Sequence, residues 1–294
     1  MILQLKINMK RLFYFIAILF TVIISSCSSA SKIHDHSLSR NRNVCKKLNG
    51  KVLIYVIFVN TKAGPKWNDT TIRSTLDLYR DAANWTEQQA KKNNIKLTIQ
   101  IKSPIPNNPV ESDFPVKNFS SMPLFEKNIL KKLNEWTNGV VKKIGGNMSD
   151  KKENDSLPSV INPKDAERLV ARLRNQYNTE SVALFFATNH TSDNEIGITL
   201  NTIDNDNIEC VINSYKSSSI IAYELLSLFG AEKLFYSKYG HSKKYAEFAA
   251  KEFPDDLMID PFRDLNGANV SQFTKYLIGW SDEIDKQYFR LFKY

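Results

Sequence analysis

Histidine and cysteine are scarce in this chain, at four and three among 294 residues. Three cysteines exclude a disulfide-dense scaffold and any module that holds zinc through four thiolates. Four histidines set a narrow limit on an imidazole-based metal site. Ten glycines and ten prolines exclude collagen-like and Pro/Gly-rich low-complexity chains. No phosphate-cradling glycine loop, dinucleotide fingerprint or G-x-S-x-G turn occurs. Charge of one sign is not concentrated either. The formal net charge of +9 includes Lys6, Lys10 and Arg11 of an N-terminal leader, and falls to +6 without them. The remaining lysines are spread along the chain, as on a solvated surface, so nucleic acid is not an expected partner. What is present is ordinary globular material: 42% hydrophobic and 24% charged residues, enough for one large domain or two small ones.

The leader sets the expected compartment. Residues 1–11 hold three cations and no acid, and Leu12 to Ile24 is a 13-residue apolar run. That run is too short to span a bilayer and has the length of a signal-peptide core. It ends in Ile24-Ser25-Ser26-Cys27, which resembles the cleavage box of bacterial lipoproteins. The resemblance implies removal of residues 1–26 and acylation of Cys27, with palmitate among the expected chains. The mature protein would then be held to a lipid bilayer through Cys27 without crossing it. Ser28 and Ser29 supply no acidic retention signal, so the outer membrane is favoured over the inner, with the leaflet left open. Residues 27–48 read as a lipidated flexible tether, with His34 and His36 as solvated tether residues, and 49–294 as one domain. Cys45 and Cys210 are either paired or separate, and 164 intervening residues leave that open.

The domain reads as α/β, in the α+β sense: a mixed sheet with packed helices. Lys51 to Asn60 is a continuous β-branched and aromatic run, expected as a strand buried on both faces. Asn68 and Asp69 open a helix to about Lys92, with Ile72, Leu76, Tyr79 and Ala83 on one stripe. Ile95 to Ile101 alternates strictly as a second strand, and the Pro/Asn-rich Ser103 to Pro115 is expected as a loop or flap. A helix is expected over Pro123 to Asn138, ended by Gly139, and another from Pro163 through Asn175. Lys142 to Pro163 lies between them as a loop. Three strands follow, at Ser181 to Thr188, Glu195 to Leu200 and Asn207 to Asn213. Ser217 to Ser219 then caps a helix over Ile220 to Phe229, ended by Gly230. This order predicts a mixed sheet with helices packed on it.

The last helix carries a second resemblance. The segment Ile220 to Tyr236, IIAYELLSLFGAEKLFY, resembles the active-site helix of zincin metallopeptidases. It is similar in particular to a group of bacterial zinc-peptidase-like lipoproteins, whose helix reads close to HELLHLFGAxDLY. That group follows the helix with a P-x-D-I/L-M turn and an IGW segment, matched here by Pro254 to Met258 and by Ile278-Gly279-Trp280. The resemblance implies a zincin-like fold with this helix beneath a cleft.

It equally exposes what the chain has lost. The zinc chemistry needs two histidines at i and i+4, so that both imidazoles leave one helix face toward one ion. Those positions hold Tyr223 and Ser227, and the third-ligand position holds Lys233 or, with a slip of one residue, Glu232. Only Glu224, the general-base position, is retained. A serine hydroxyl and a phenol are poor zinc ligands, and an ammonium repels a dication. Without the metal no bound water is brought to a pKa near ~7. The expectation is a pseudoenzyme: a membrane-anchored peptidase homologue with zinc in its active relatives but no cofactor of its own, binding a peptide or protein in its cleft.

Two alternatives stay open. His190 or His241 rebuilds a metal site with Glu224 in an active hydrolase, although each also reads as an exposed loop residue. Otherwise the chain is a structural envelope lipoprotein whose cleft is filled by its own side chains. Lys233 either reaches Glu224 and replaces the lost cation or points to solvent. Asp255, Asp256 and Asp260 lack calcium-loop spacing and are expected to cap turns, and Cys210 is expected as a small core residue.

Overall fold

The computed structural model describes residues 45, 47–62, 64–104, 108–115, 127–145, 165–191, 195–201, 209–237 and 241–292. All lie within one compact unit spanning residues 34–292. The leader, Cys27 and the histidines of the tether fall outside the described residues, as do most of the expected loop at 142–163 and positions 207–208 of the expected third strand.

The described residues form a mixed α/β fold around a six-stranded sheet. Strand β1 (Gly50–Asn60) is followed by helix α1 (Asp69–Lys92), β2 (Leu97–Lys102) and a two-residue β3 (Val110–Glu111). Helices α2 (Lys127–Ile144) and α3 (Asp165–Tyr177) precede β4 (Ser181–Thr188), β5 (Gly197–Leu200) and β6 (Cys210–Asn213). Helix α4 (Ser218–Leu228) leaves β6 directly, and α5 (Lys243–Glu252) and α6 (Gln272–Leu277) follow with two 3-10 turns, Leu265–Gly267 and Lys286–Phe292.

Strand order is β2-β1-β4-β6-β5, with β3 paired to the far end of β1. Every pairing is parallel except that of the edge strand β5 with β6. Both faces of the centre are covered, which is why the middles of β1 (Val52–Val59) and β4 (Val182–Ala187) are unbroken apolar and buried runs. Phe185 meets Tyr79 of α1 at 5.1 Å between ring centroids, while its neighbour Phe186 meets Trp136 of α2 at 5.7 Å. Successive strand residues point to opposite faces, so α1 covers one face and α2 the other. Helix α4 packs against α1, on the same face.

Local chemistry accounts for the element ends. Asn68 and Thr71 form a reciprocal capping box at α1, each side chain accepting from the other residue's backbone N–H at 3.0 Å. Ser217 caps α4 through Ile220 N–H. Gly230 stands at φ 103°, a conformation open to glycine, and the chain turns there with Ala231 N–H donating to Leu226 O at 3.0 Å.

Several expectations are corrected. Helix α2 runs through Gly139 to Ile144 instead of stopping at 138, because Val140 and Val141 are buried and draw the next turn onto the sheet. The expected loop at Ser103 to Pro115 contains β3, which continues the sheet where β2 ends. The last part of the expected tether belongs to the body: Cys45 and Leu48 are buried, and Leu48 N–H donates to Ile278 O at 3.1 Å. The IGW segment explains this attachment. Gly279 sits at φ 78° beneath the Lys47 side chain, and the Trp280 indole N–H donates to Leu48 O. Cys45 and Cys210 are both buried free thiols.

Candidate functional site

Helix α4 lies under the sheet edge formed by β6 and β5. Residues 219–228 are all buried. Tyr223 and Ser227, one helical turn apart, share a stripe, with exposures of 3% and 7%. The Tyr223 ring lies 6.4 Å from that of Phe235, in the segment that returns after Gly230. Ser227 Oγ is buried without a hydrogen bond, while the Ser227 carbonyl accepts from the Asn201 side-chain amide at 2.9 Å.

Glu224 is 3% exposed and sits below β5. Thr199 Oγ1 donates to its Oε2. Gly197 passes so close that a Cβ built there would stand 3.0 Å from Glu224 Oε1 and 3.2 Å from the Tyr215 ring. Burial raises the Glu224 pKa above the ordinary carboxyl value, against the lowering influence of the Lys233 charge and the Thr199 hydrogen bond.

Lys233 does not close a salt bridge to Glu224: among the described residues no ion pair joins them within 4.0 Å, and Lys233 is exposed. Its charge is felt by Glu224 only from a distance. The open alternative for Lys233 resolves toward solvent.

His241 is not the exposed loop residue expected from sequence. It is fully buried, its backbone bridges Tyr236, and its Nε2 lies 3.7 Å from Glu232 Oε2. Burial lowers its pKa. His190 is half-buried at the end of β4, with Nδ1 3.2 Å from Thr188 Oγ1 and its ring against Phe114 at 5.4 Å. Burial lowers its pKa too. The two histidines therefore sit in separate settings.

The turn at Pro254 to Met258 supports this region. Asp256 is fully buried and accepts from Met258 N–H at 2.7 Å, Ser271 N–H at 2.8 Å and Thr274 Oγ1 at 2.7 Å. Asp260 accepts from Phe262 N–H at 3.0 Å, so both act as turn caps, as expected. Asp255 instead pairs with Arg263 at 3.0 Å. Met258 O in turn accepts from Leu234 N–H at 2.9 Å and fixes the segment behind α4. Helix α4, the turn and the IGW segment all contribute side chains to the one hydrophobic core, together with the central strands.

The resemblance implies a zinc ion at this helix, and the residues present do not fit one. The two helix positions offer neutral hydroxyl oxygens, the third offers the exposed Lys233 ammonium or, with the slip of one residue, Glu232, whose carboxylate lies against His241, and the retained carboxylate is engaged by Thr199. Zinc sites of protein are built from thiolate, imidazole and carboxylate donors. Among the described residues no group of three or more His, Cys, Asp or Glu side chains is placed to hold a metal ion.

Sequence reading missed β5's part in the site. Gly197, Thr199 and Asn201 alternate with the buried Ile196, Ile198 and Leu200. That period of two was visible, but nothing in it says that the small polar face lies on a helix instead of in water. The chain matches no model of a known protein family and no curated protein.

Proposed function

We propose that this chain is a catalytically inactive homologue of the bacterial zinc metallopeptidases, anchored in the cell envelope through acylated Cys27, that binds a peptide or protein. The observation that carries the reading is the state of α4. Its general-base residue Glu224 is buried and bonded to Thr199, and the ligand positions beside it hold Tyr223 and Ser227. A carboxylate so placed has no metal-bound water to deprotonate.

The binding role draws on the surface around the helix. The two exposed large hydrophobic residues among those described, Tyr236 at 62% and Phe262 at 69%, flank it. Tyr236 follows Phe235, the ring neighbour of Tyr223, and borders an apolar hollow with Leu234, Ala246 and Ile259. Phe262 meets Tyr215, whose ring covers Gly197. An exposed aromatic side chain beside an apolar hollow, as Tyr236 is, suits an apolar anchor of a peptide.

A second reading, an active metal-dependent hydrolase with a rebuilt site, is favoured by one contact alone, the buried His241 beside Glu232. Incubation with a mixed fluorogenic peptide pool, zinc supplied, separates the two. The proposal expects hydrolysis no faster than that of the Glu224→Ala variant. Turnover that chelator abolishes and that falls at least 100-fold in Glu224→Ala or His241→Ala contradicts it.

A further inference from the structure

Apart from Cys27 the chain holds two cysteines, Cys45 and Cys210, separated by 164 residues. The fold brings them to one buried corner, at 3% and 1% exposure. Two contacts from different elements fix Cys45 there. Its backbone N–H donates to Glu209 Oε2 at 3.0 Å, and Glu209 is the chain neighbour of Cys210. Its Sγ donates to Val182 O of β4 at 3.4 Å. Cys210 opens β6 and pairs with Leu184, two residues beyond Val182. Alternation along a strand turns the Cys210 side chain to the sheet face shared by Val182 and Leu184. Arg174 of α3 is buried in the same surroundings, where its charge acts on both Cys45 and Glu209.

We propose that oxidation joins Cys45 Sγ to Cys210 Sγ as the exported chain folds, a modification that staples the start of the body to the central sheet. Two S–H bonds break and one S–S bond forms. The two electrons and two protons pass to a disulfide of the compartment, that of a thiol–disulfide oxidoreductase or of oxidised glutathione, which leaves as two thiols. The inference shares with the anchored reading only the need for an oxidising compartment, and it is independent of the chemistry at α4.

The surroundings suit a bond made during folding and then hidden. Cys45 lies ahead of β1 and outside every ladder, so its side chain turns from Val182 O without breaking a strand pairing. Burial, and after it the Glu209 charge, raises both thiols above their ordinary pKa. Thiolate is the attacking species, so exchange at these sulfurs is fast before the corner closes and slow afterwards. The bond encloses β1 to β5 in one loop, and a cross-link over so long a loop constrains the unfolded chain strongly.

The test is refolding of the full chain from reductant and denaturant into a buffer of oxidised and reduced glutathione, followed by alkylation and mass-spectrometric peptide mapping without reductant. The expected product is one cross-linked peptide pair holding Cys45 and Cys210, two hydrogens lighter than the separate peptides, with Cys27 outside it. The oxidised chain should unfold about 5–15 °C above the same chain in dithiothreitol, a difference absent from Cys210→Ser. Cys45 and Cys210 recovered as separate alkylated peptides or as separate glutathione adducts would overturn the pairing, as would a bond from either to Cys27. A cross-linked chain that unfolds no higher than its reduced form overturns it too, since a bond foreign to the fold strains it. If Cys210→Ser does not fold, the peptide map and the parent chain's two unfolding temperatures give the decision. Neither readout involves metal or peptide, so the staple and the pseudopeptidase reading fail by different results.

Discussion

Glu224 brings a carboxyl group to a place that water does not reach, and its neighbours compensate unevenly. Thr199 supplies one donor from β5 and Lys233 a distant charge, while Tyr79 of α1 and Tyr215 ahead of α4 face it with phenols. Burial wins, and the folded chain holds this proton more tightly than the unfolded chain. The associated stability is therefore complete below the ordinary carboxyl pKa and is lost as pH rises through the raised folded value. Glu224→Gln keeps the shape and removes the titration. Relative to the parent chain it should gain stability as pH is raised from about 4 to 8, read by thermal unfolding across that range; a constant difference would refute the assignment. The buried His241 carries the opposite sign. Its lowered pKa makes its contribution complete above the ordinary histidine value and lost on acidification. Sequence announced neither behaviour, because exposure at 224 and 241 depends on β5 and on the segment bridging Tyr236, both distant in the chain.

Elements with local signals were legible, and those defined by distant contacts were not. The Asn68 box, the unbroken apolar run of β1 and the Gly230 turn each state their role within a few residues. The strand–helix order leading to α4 followed from them. Gly139 misled, since glycine ends a helix only when nothing draws the following turn inward, and Val140 and Val141 do so here. β3 was hidden because two residues carry no periodicity, and it exists by pairing with the end of β1. Of the site, the i and i+4 geometry of Tyr223 and Ser227 was readable from the helix alone. The covering of Glu224 by Gly197 and Thr199 was not, as it needs the antiparallel placement of β5 beside β6.

At the scale of the whole molecule the proposal joins an expected lipid anchor at Cys27 to a peptidase-like site without its metal ligands. No helix among the described residues is long and apolar enough to cross a membrane. The folded body starts by Cys45, which lies 18 positions beyond Cys27. Cys27→Ser should move the protein out of the membrane fraction or block its processing, and a parent chain with another N-terminus and no lipid by mass spectrometry would remove the anchor from the account. The central claim concerns α4, and metal stoichiometry tests it most directly. Elemental analysis is made on the purified full chain equilibrated with equimolar zinc and freed of unbound metal, beside the triple variant Tyr223→His, Ser227→His, Lys233→Asp. The account predicts well under 0.1 zinc per parent chain and close to one per triple variant. One tightly held zinc in the parent chain, lost on His241→Ala or Glu232→Ala, would contradict it.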